Sequence, residues 1–171
     1  MVLNEAFMRE LFSAAKLMYV VSACVLGFIF FCITLPLFGS YVMKGDFLSP
    51  IPWSFVLITF LLFPSSYYIY KFGKRRIEKK LHELNFTSTN GLQLFNPIVG
   101  RYAGINLKTE KIVLISLASD KTVTEFPLNI FSGYELNGST IKLMFNDYDM
   151  PCFPLSNNSA FRSRLDVYLN S

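Results

Sequence analysis

From Leu17 to Met43, and again from Phe47 to Tyr70, the chain contains no Asp, Glu, Lys or Arg. Each run exceeds 20 residues. At about 1.5 Å per residue, a helix of that length covers a hydrocarbon core of roughly 30 Å. The apolar region of a secretory signal is shorter, about 7–15 residues, and ends at a small-residue cleavage site. A core helix would keep a polar face, because one side normally meets water. Neither run has one. The sequence therefore predicts two transmembrane helices joined as a hairpin. Composition agrees: 52% of residues are hydrophobic, 18 of them Phe, and only 16% are charged, a low share for a soluble domain.

The second run opens with Ser49, Pro50, Ile51, Pro52 and Trp53. Prolines suit a helix start, and Trp53 suits the interfacial belt. Tyr67, Tyr68 and Tyr70 mark the opposite interface. Pro36 and Pro64 are candidate kinks, and Ser65 and Ser66 can bond carbonyls that Pro64 leaves free. No ionisable residue lies at membrane depth, which argues against a proton relay or ion-coupled transport. Ser22, Ala23 and Gly27 form a weak small-residue contact, most simply used between the two helices of the hairpin. The same face could also serve a homo-oligomer.

Basic residues near the span ends set the orientation. The connection Lys44-Gly45-Asp46 carries one charge of each sign, whereas Lys71, Lys74, Arg75, Arg76, Lys79 and Lys80 follow the second span with only Glu78 among them. Arg9 and Lys16 precede the first span. Both termini are therefore expected on the cytoplasmic side of an inner membrane. From residue 84 onward seven Lys and Arg balance seven Asp and Glu. The net charge of +4 thus belongs to the membrane-proximal part, and a nucleic-acid partner is not expected. The basic cluster reads as a topology signal that also meets anionic lipid headgroups.

Ile77, Leu81 and Leu84 recur at spacings of four and three, so the cluster is expected to continue the second helix with one apolar stripe. It should end before the turn-rich Thr87-Ser88-Thr89-Asn90-Gly91. Asn4–Lys16, with Phe7, Met8, Leu11 and Phe12 on one side, is either a short interfacial helix or the lead-in to the first span. The expected layout is a cytoplasmic segment 1–16, spans 17–43 and 50–70 around a short outer loop 44–49, a basic helix and linker 71–90, and a soluble β-rich domain 91–171.

Within that domain, Tyr102–Leu107 leads through Lys108-Thr109-Glu110 into Lys111–Leu117, whose β-branched residues read as a central strand. Ala118-Ser119-Asp120 turns the chain into the alternating Lys121–Phe126. Ile130–Leu136 and Thr140–Phe145 flank Asn137-Gly138, a strong hairpin signal. Met150–Leu155 reads as an edge strand interrupted by Pro151 and Pro154. Gly100 and Gly104 suit a bend or bulge. Ser156, Asn157 and Asn158 offer N-caps to a final helix with Phe161, Leu165, Tyr168 and Leu169 on one face. Five to seven short antiparallel strands followed by one helix is the order of a pleckstrin-homology-like (PH-like) module, a bent sheet closed by a helix. The expected fold class is a two-helix membrane hairpin plus this small α+β domain.

The stretch Gly104–Ile115, followed by Phe126-Pro127-Leu128-Asn129-Ile130 and Tyr134-Glu135-Leu136, resembles a group of uncharacterised bacterial and mobile-element membrane proteins. In that group a GI-x-x-x-x-x-KI hairpin precedes an F-x-x-x-I-x-x-Y-E segment. The resemblance spans about residues 100–170 and implies a small PH-like cytoplasmic domain in a bacterial setting. It implies no activity and no catalytic residues.

Chemistry is sparse. The single histidine, His82, lies in a basic helical stretch and reads as solvated, leaving no centre for a nucleophilic triad. Cys24 and Cys32 are eight residues apart, about 12 Å along a helix, and cannot pair within the chain. Cys152 reads as a reduced, partly buried thiol. Asp147 and Asp149 lack the further ligands of a calcium loop and read as a polar turn. No catalytic residue, metal or cofactor is expected. The chain is expected to be a non-enzymatic, membrane-anchored interaction module or accessory subunit, binding membrane lipids through its basic cluster and a protein partner through residues 91–171. Exclusion, immunity and secretion are candidate settings. An oligomeric channel or transport component gated by the soluble domain is the alternative. A reporter that works only in the cytoplasm, fused after Ser171, should be active; activity from an export-dependent reporter at that site would overturn the orientation.

Overall fold

The computed structural model describes residues 2–46, 48–89, 91–118 and 123–169. Two long helices, α1 (Val2–Met43) and α2 (Pro50–Glu83), form an antiparallel pair. A small domain of two antiparallel sheets and a C-terminal helix follows. The first sheet is β1 (Gln93–Asn96), β2 (Arg101–Asn106), β3 (Lys111–Ser116) and β4 (Val123–Pro127), paired in that order. A single 3-10 turn leads to the second, β5 (Phe131–Asn137), β6 (Thr140–Phe145) and β7 (Cys152–Ser156), also in order. Helix α3 (Ser159–Leu169) closes the chain.

Both long helices end in the same way. At the hairpin tip Gly45, with φ of +74°, donates to the Val42 carbonyl while Asp46 donates to Tyr41. At the end of α2 Asn85, with φ of +49°, donates to His82 while Phe86 donates to Leu81. This paired bonding around a left-handed residue satisfies carbonyls that a helix end leaves free. Asn4–Lys16 is the continuous start of α1, not a separate helix.

Along the hairpin, Ala23 and Gly27 are buried while Ser22 is exposed. The Phe63 ring lies 3.3 Å from where a Gly27 Cβ would stand. The Tyr19 and Ser65 hydroxyls share a 2.9 Å hydrogen bond, and Phe30 meets Phe55 with ring centroids 5.6 Å apart. Ser65 and Ser66 both donate to the Leu62 carbonyl. This corrects the sequence expectation, because the carbonyl deprived by Pro64 is that of Phe60, four residues back. Most of the apolar surface is uncovered: 17% of the most hydrophobic window of α1 is buried, and 6% of that of α2. Both helices are long and apolar enough to cross a membrane.

The small domain has two apolar clusters, one on each face of the first sheet. Ala103, Ile105, Ile112 and Leu114 face inward, against Ile141, Leu143 and Phe145 of the second sheet and Phe161 and Leu165 of α3. Tyr102, Val113 and Ile115 face outward, against Ile77 of α2. The continuous apolar run Ile112–Ile115 follows from this. A strand of an antiparallel sheet alternates when one face meets water, and β3 is covered on both.

Several local readings change in three dimensions. Strand β1 precedes the strands read from sequence; at four residues it is too short for a clear period, although Leu92 and Leu94 are buried. The hairpin turn is shifted by one residue. Asn137 pairs with Thr140, so the loop is Gly138-Ser139 with φ of +58° at the glycine, as a type II′ turn requires. The register slip lies at Phe131/Gly133, not at Gly100 or Gly104. Gly100 (φ +74°) turns the chain between β1 and β2, and at Gly104 a Cβ would collide with the Tyr102 hydroxyl. In α3, Asn158 caps the Phe161 N–H at 3.1 Å, and Phe161 and Leu165 are buried, but Leu169 is exposed at the last turn. Strand β7 is an edge strand, with its Pro154 opposite Lys142. Phe47, Asn90, the Ser119-Asp120 part of the expected turn, Lys121, Thr122 and the Phe7 side chain lie outside the described residues.

Tyr102 is 1% exposed, and burial pushes its phenol well above the ordinary value, with the Ser88 hydroxyl opposing in part. The unfolded chain releases this proton near pH 10, whereas the folded chain holds it higher. The contribution to stability is therefore intact below about pH 10 and falls above it, by up to about 1.4 kcal/mol per pH unit. Thermal unfolding of the full chain in detergent should show this alkaline decline, and Tyr102→Phe should flatten it.

Candidate functional site

Helix α2 runs unbroken from its apolar part into the basic run. Gly73, Ile77, Leu81 and Leu84 recur every three or four residues and share one face. Gly73 and Ile77 are buried, while Leu81 and Leu84 are half-buried against the Tyr102–Val113–Ile115 cluster. A Cβ on Gly73 would stand 2.0 Å from the Pro97 carbonyl oxygen. Only a glycine lets the helix backbone approach the β1–β2 turn so closely.

The remaining faces of this segment carry the charge. Lys74, Arg75, Arg76 and Lys79 are exposed, and Lys71 and Lys80 are half-buried. Lys74 pairs with Glu78 at 3.6 Å. Lys80 donates to Glu83 at 2.7 Å, and that hydrogen bond holds the Glu83 carboxyl below its ordinary value. Lys71 lies over the Tyr67 ring at 5.4 Å, and Arg76 over the Phe72 ring at 5.8 Å. Cation–π placement orients a charge without neutralising it.

Where α1, α2 and the first sheet meet, there is a cavity of about 850 Å³. Met8, Phe12 and Lys16 of α1 form one wall, and Tyr68, Phe72 and Arg76 of α2 the second. The β1–β2 turn (Pro97–Gly100) and the two residues after β3 (Leu117, Ala118) form the third. Lys16 lies over the Phe12 ring at 4.6 Å. No carboxylate lines the cavity among the described residues. Its volume falls within the range of ligand pockets, roughly 300–1,000 Å³.

The site residues read from the sequence thus separate. Arg76 and Tyr68 enter the cavity, with Lys71 and Tyr67 paired nearby; Lys74, Arg75, Lys79 and Lys80 do not line it. Tyr67, Tyr68 and Tyr70 are exposed on the helix. Trp53 is 52% exposed and packs edge-on against Phe38 at 5.7 Å. It stands 17 residues before Tyr70, roughly 26 Å along the axis. Sequence reading missed Lys16, Phe12, Gly73 and the β1–β2 turn as parts of one site. The local signal was Gly73, a helix-weakening residue inside a helical run.

Comparisons with protein families, curated proteins and solved structures give no match.

Gly73→Ala should force α2 off the Pro97 carbonyl and destabilise the junction by about 1–3 kcal/mol, the usual cost of overpacking. Faster tryptic cleavage after Lys79 and Lys80 in the detergent-solubilised chain would report it. Gly39→Ala, where a Cβ meets nothing within 4 Å, should leave cleavage unchanged.

Proposed function

We infer that this chain is a two-span integral membrane protein of the inner membrane, with both termini cytoplasmic. On this reading it is a non-enzymatic anchor that presents a PH-like domain to a protein partner. One observation carries the reading: a single helix, α2, joins the uncovered apolar hairpin to the sheet domain without a break, seating Ile77 at 0% exposure on the sheet. A flexible tether would let the domain roam; a seated helix holds it at a set height and angle above the bilayer. The apolar windows support membrane insertion because a helix in a soluble core would be mostly covered. The six cations just past the second span support the orientation.

A four-stranded and a three-stranded antiparallel sheet followed by a helix supports the PH-like assignment. Two acids of the small domain serve structure. Asp147 accepts the Met150 N–H at 2.9 Å within its turn, and Asp166 accepts from Tyr134, raising that phenol. His82 and the cysteines Cys24 and Cys32 are exposed, each on its own stretch of helix.

The partner surface is the free edge of β5 beside α3. Among the described residues strand β5 pairs with β6 alone, so its outer edge can accept an added strand. The Tyr134–Asp166 hydrogen bond ties that strand to α3, and Leu136, Val167 and Leu169 stand exposed at 43%, 72% and 43%. A photo-crosslinker placed at Leu136 or Val167 in native membranes should capture one heterologous protein, identified by mass spectrometry, and Leu136→Lys with Val167→Lys should abolish capture. No heterologous capture from these positions, with self-crosslinks instead from a crosslinker placed within residues 17–70, would sink this reading in favour of an oligomeric channel.

A further inference from the structure

We propose that the cavity between α1, α2 and the first sheet holds one anionic phospholipid, its phosphate between Lys16 and Arg76 and its upper acyl chain along Phe12 and Phe72. The proposal rests on the bilayer reading above and assigns a ligand to its inner face. Three observations converge on it.

The first is height. Tyr68 and Ile69 form part of the cavity wall, at the end of the second apolar run, where an amphipathic tyrosine meets the headgroups. The cavity therefore lies beside the leaflet rather than above it. The second is mixed chemistry. Apolar side chains, among them Phe12, Phe72, Val99 and Leu117, share the walls with two cations, and no carboxylate opposes these among the described residues. An inorganic anion would leave the apolar walls wet, and an uncharged lipid would leave both cations without a counter-ion. An anionic amphiphile matches both parts.

The third is that both cavity cations are held in place without a carboxylate partner. Lys74 and Lys80 each have a carboxylate neighbour on the helix, Glu78 and Glu83. Lys16 and Arg76 rest instead over Phe12 and Phe72, which restricts their rotamers and keeps the charge. They also come from different helices, 60 residues apart in sequence. A charge cluster built only to set topology needs no such pairing across the hairpin.

The full chain, purified in mild detergent, would be titrated with phosphatidylglycerol and separately with phosphatidylcholine, counting bound lipid by native mass spectrometry. Tighter binding of one phosphatidylglycerol is expected. Lys16→Gln with Arg76→Gln should weaken it roughly 30-fold, which corresponds to two cations at about 1 kcal/mol each. Lys79→Gln with Lys80→Gln removes the same charge outside the cavity and should change it little. Ala118→Trp, which narrows the cavity and keeps every charge, should also weaken binding. Equal binding of the two lipids, or equal losses in the two charge pairs, would overturn the site. Retention of the chain in membranes at alkaline pH reads the hairpin separately. A retained chain without lipid preference refutes the site alone, whereas an extracted chain refutes the bilayer reading and the site with it.

Discussion

The seat of α2 on the outer face of the first sheet is the contact on which the rest of the molecule depends. Ile77 enters a cluster with Tyr102, Val113 and Ile115, while Gly73 lets the helix backbone press against the Pro97 carbonyl. Burying a side chain the size of isoleucine is worth about 1.5–3 kcal/mol, and the half-buried Leu81 and Leu84 extend the contact. A sheet of about 80 residues' worth of domain gains a second apolar layer this way. Small domains bury too little surface to be secure on one core alone. The helix that leaves the apolar hairpin is therefore also a structural layer of the domain that follows it.

That double use explains features that otherwise look unrelated. The β3 run is apolar at every position because both of its faces are covered. The basic residues are confined to the remaining faces of α2, since about one of its positions per turn must be small or apolar. The left-handed Asn85 ends the helix one residue past Leu84, the last apolar position of the stripe. Phe86 then folds back onto the same cluster, as the residue after such a cap commonly does. The cavity lined by Lys16 and Arg76 is the gap left where two helices and a sheet meet without filling the corner.

Much of the architecture was legible in one dimension, for physical reasons that are local. Charge-free length identifies a helix that can cross a bilayer, and the last helix announces itself by Asn158 and the Phe161–Leu165 spacing. Strand β6 was read at its observed bounds because an alternating run beside a glycine turn leaves little freedom. The misreadings are equally local. The Asn137-Gly138 pair suggested a hairpin loop of those two residues, but the cross-strand register placed Asn137 in the strand and moved the loop to Gly138-Ser139. Strand β1 has only four residues, and its identity comes from pairing with β2 rather than from its own pattern.

By itself, the sequence determined two apolar helices, the basic run after the second, a neutral β-rich remainder and a capped final helix. Each of these follows from hydropathy, charge or spacing along a continuous stretch of chain. Only the tertiary structure decided that the basic helix is a layer of the sheet domain, that Gly73 marks its closest approach, and that Lys16 and Arg76 line one cavity. Such facts depend on contacts between residues tens of positions apart. The pattern along the chain records that a face is apolar or charged, but not which distant face covers it.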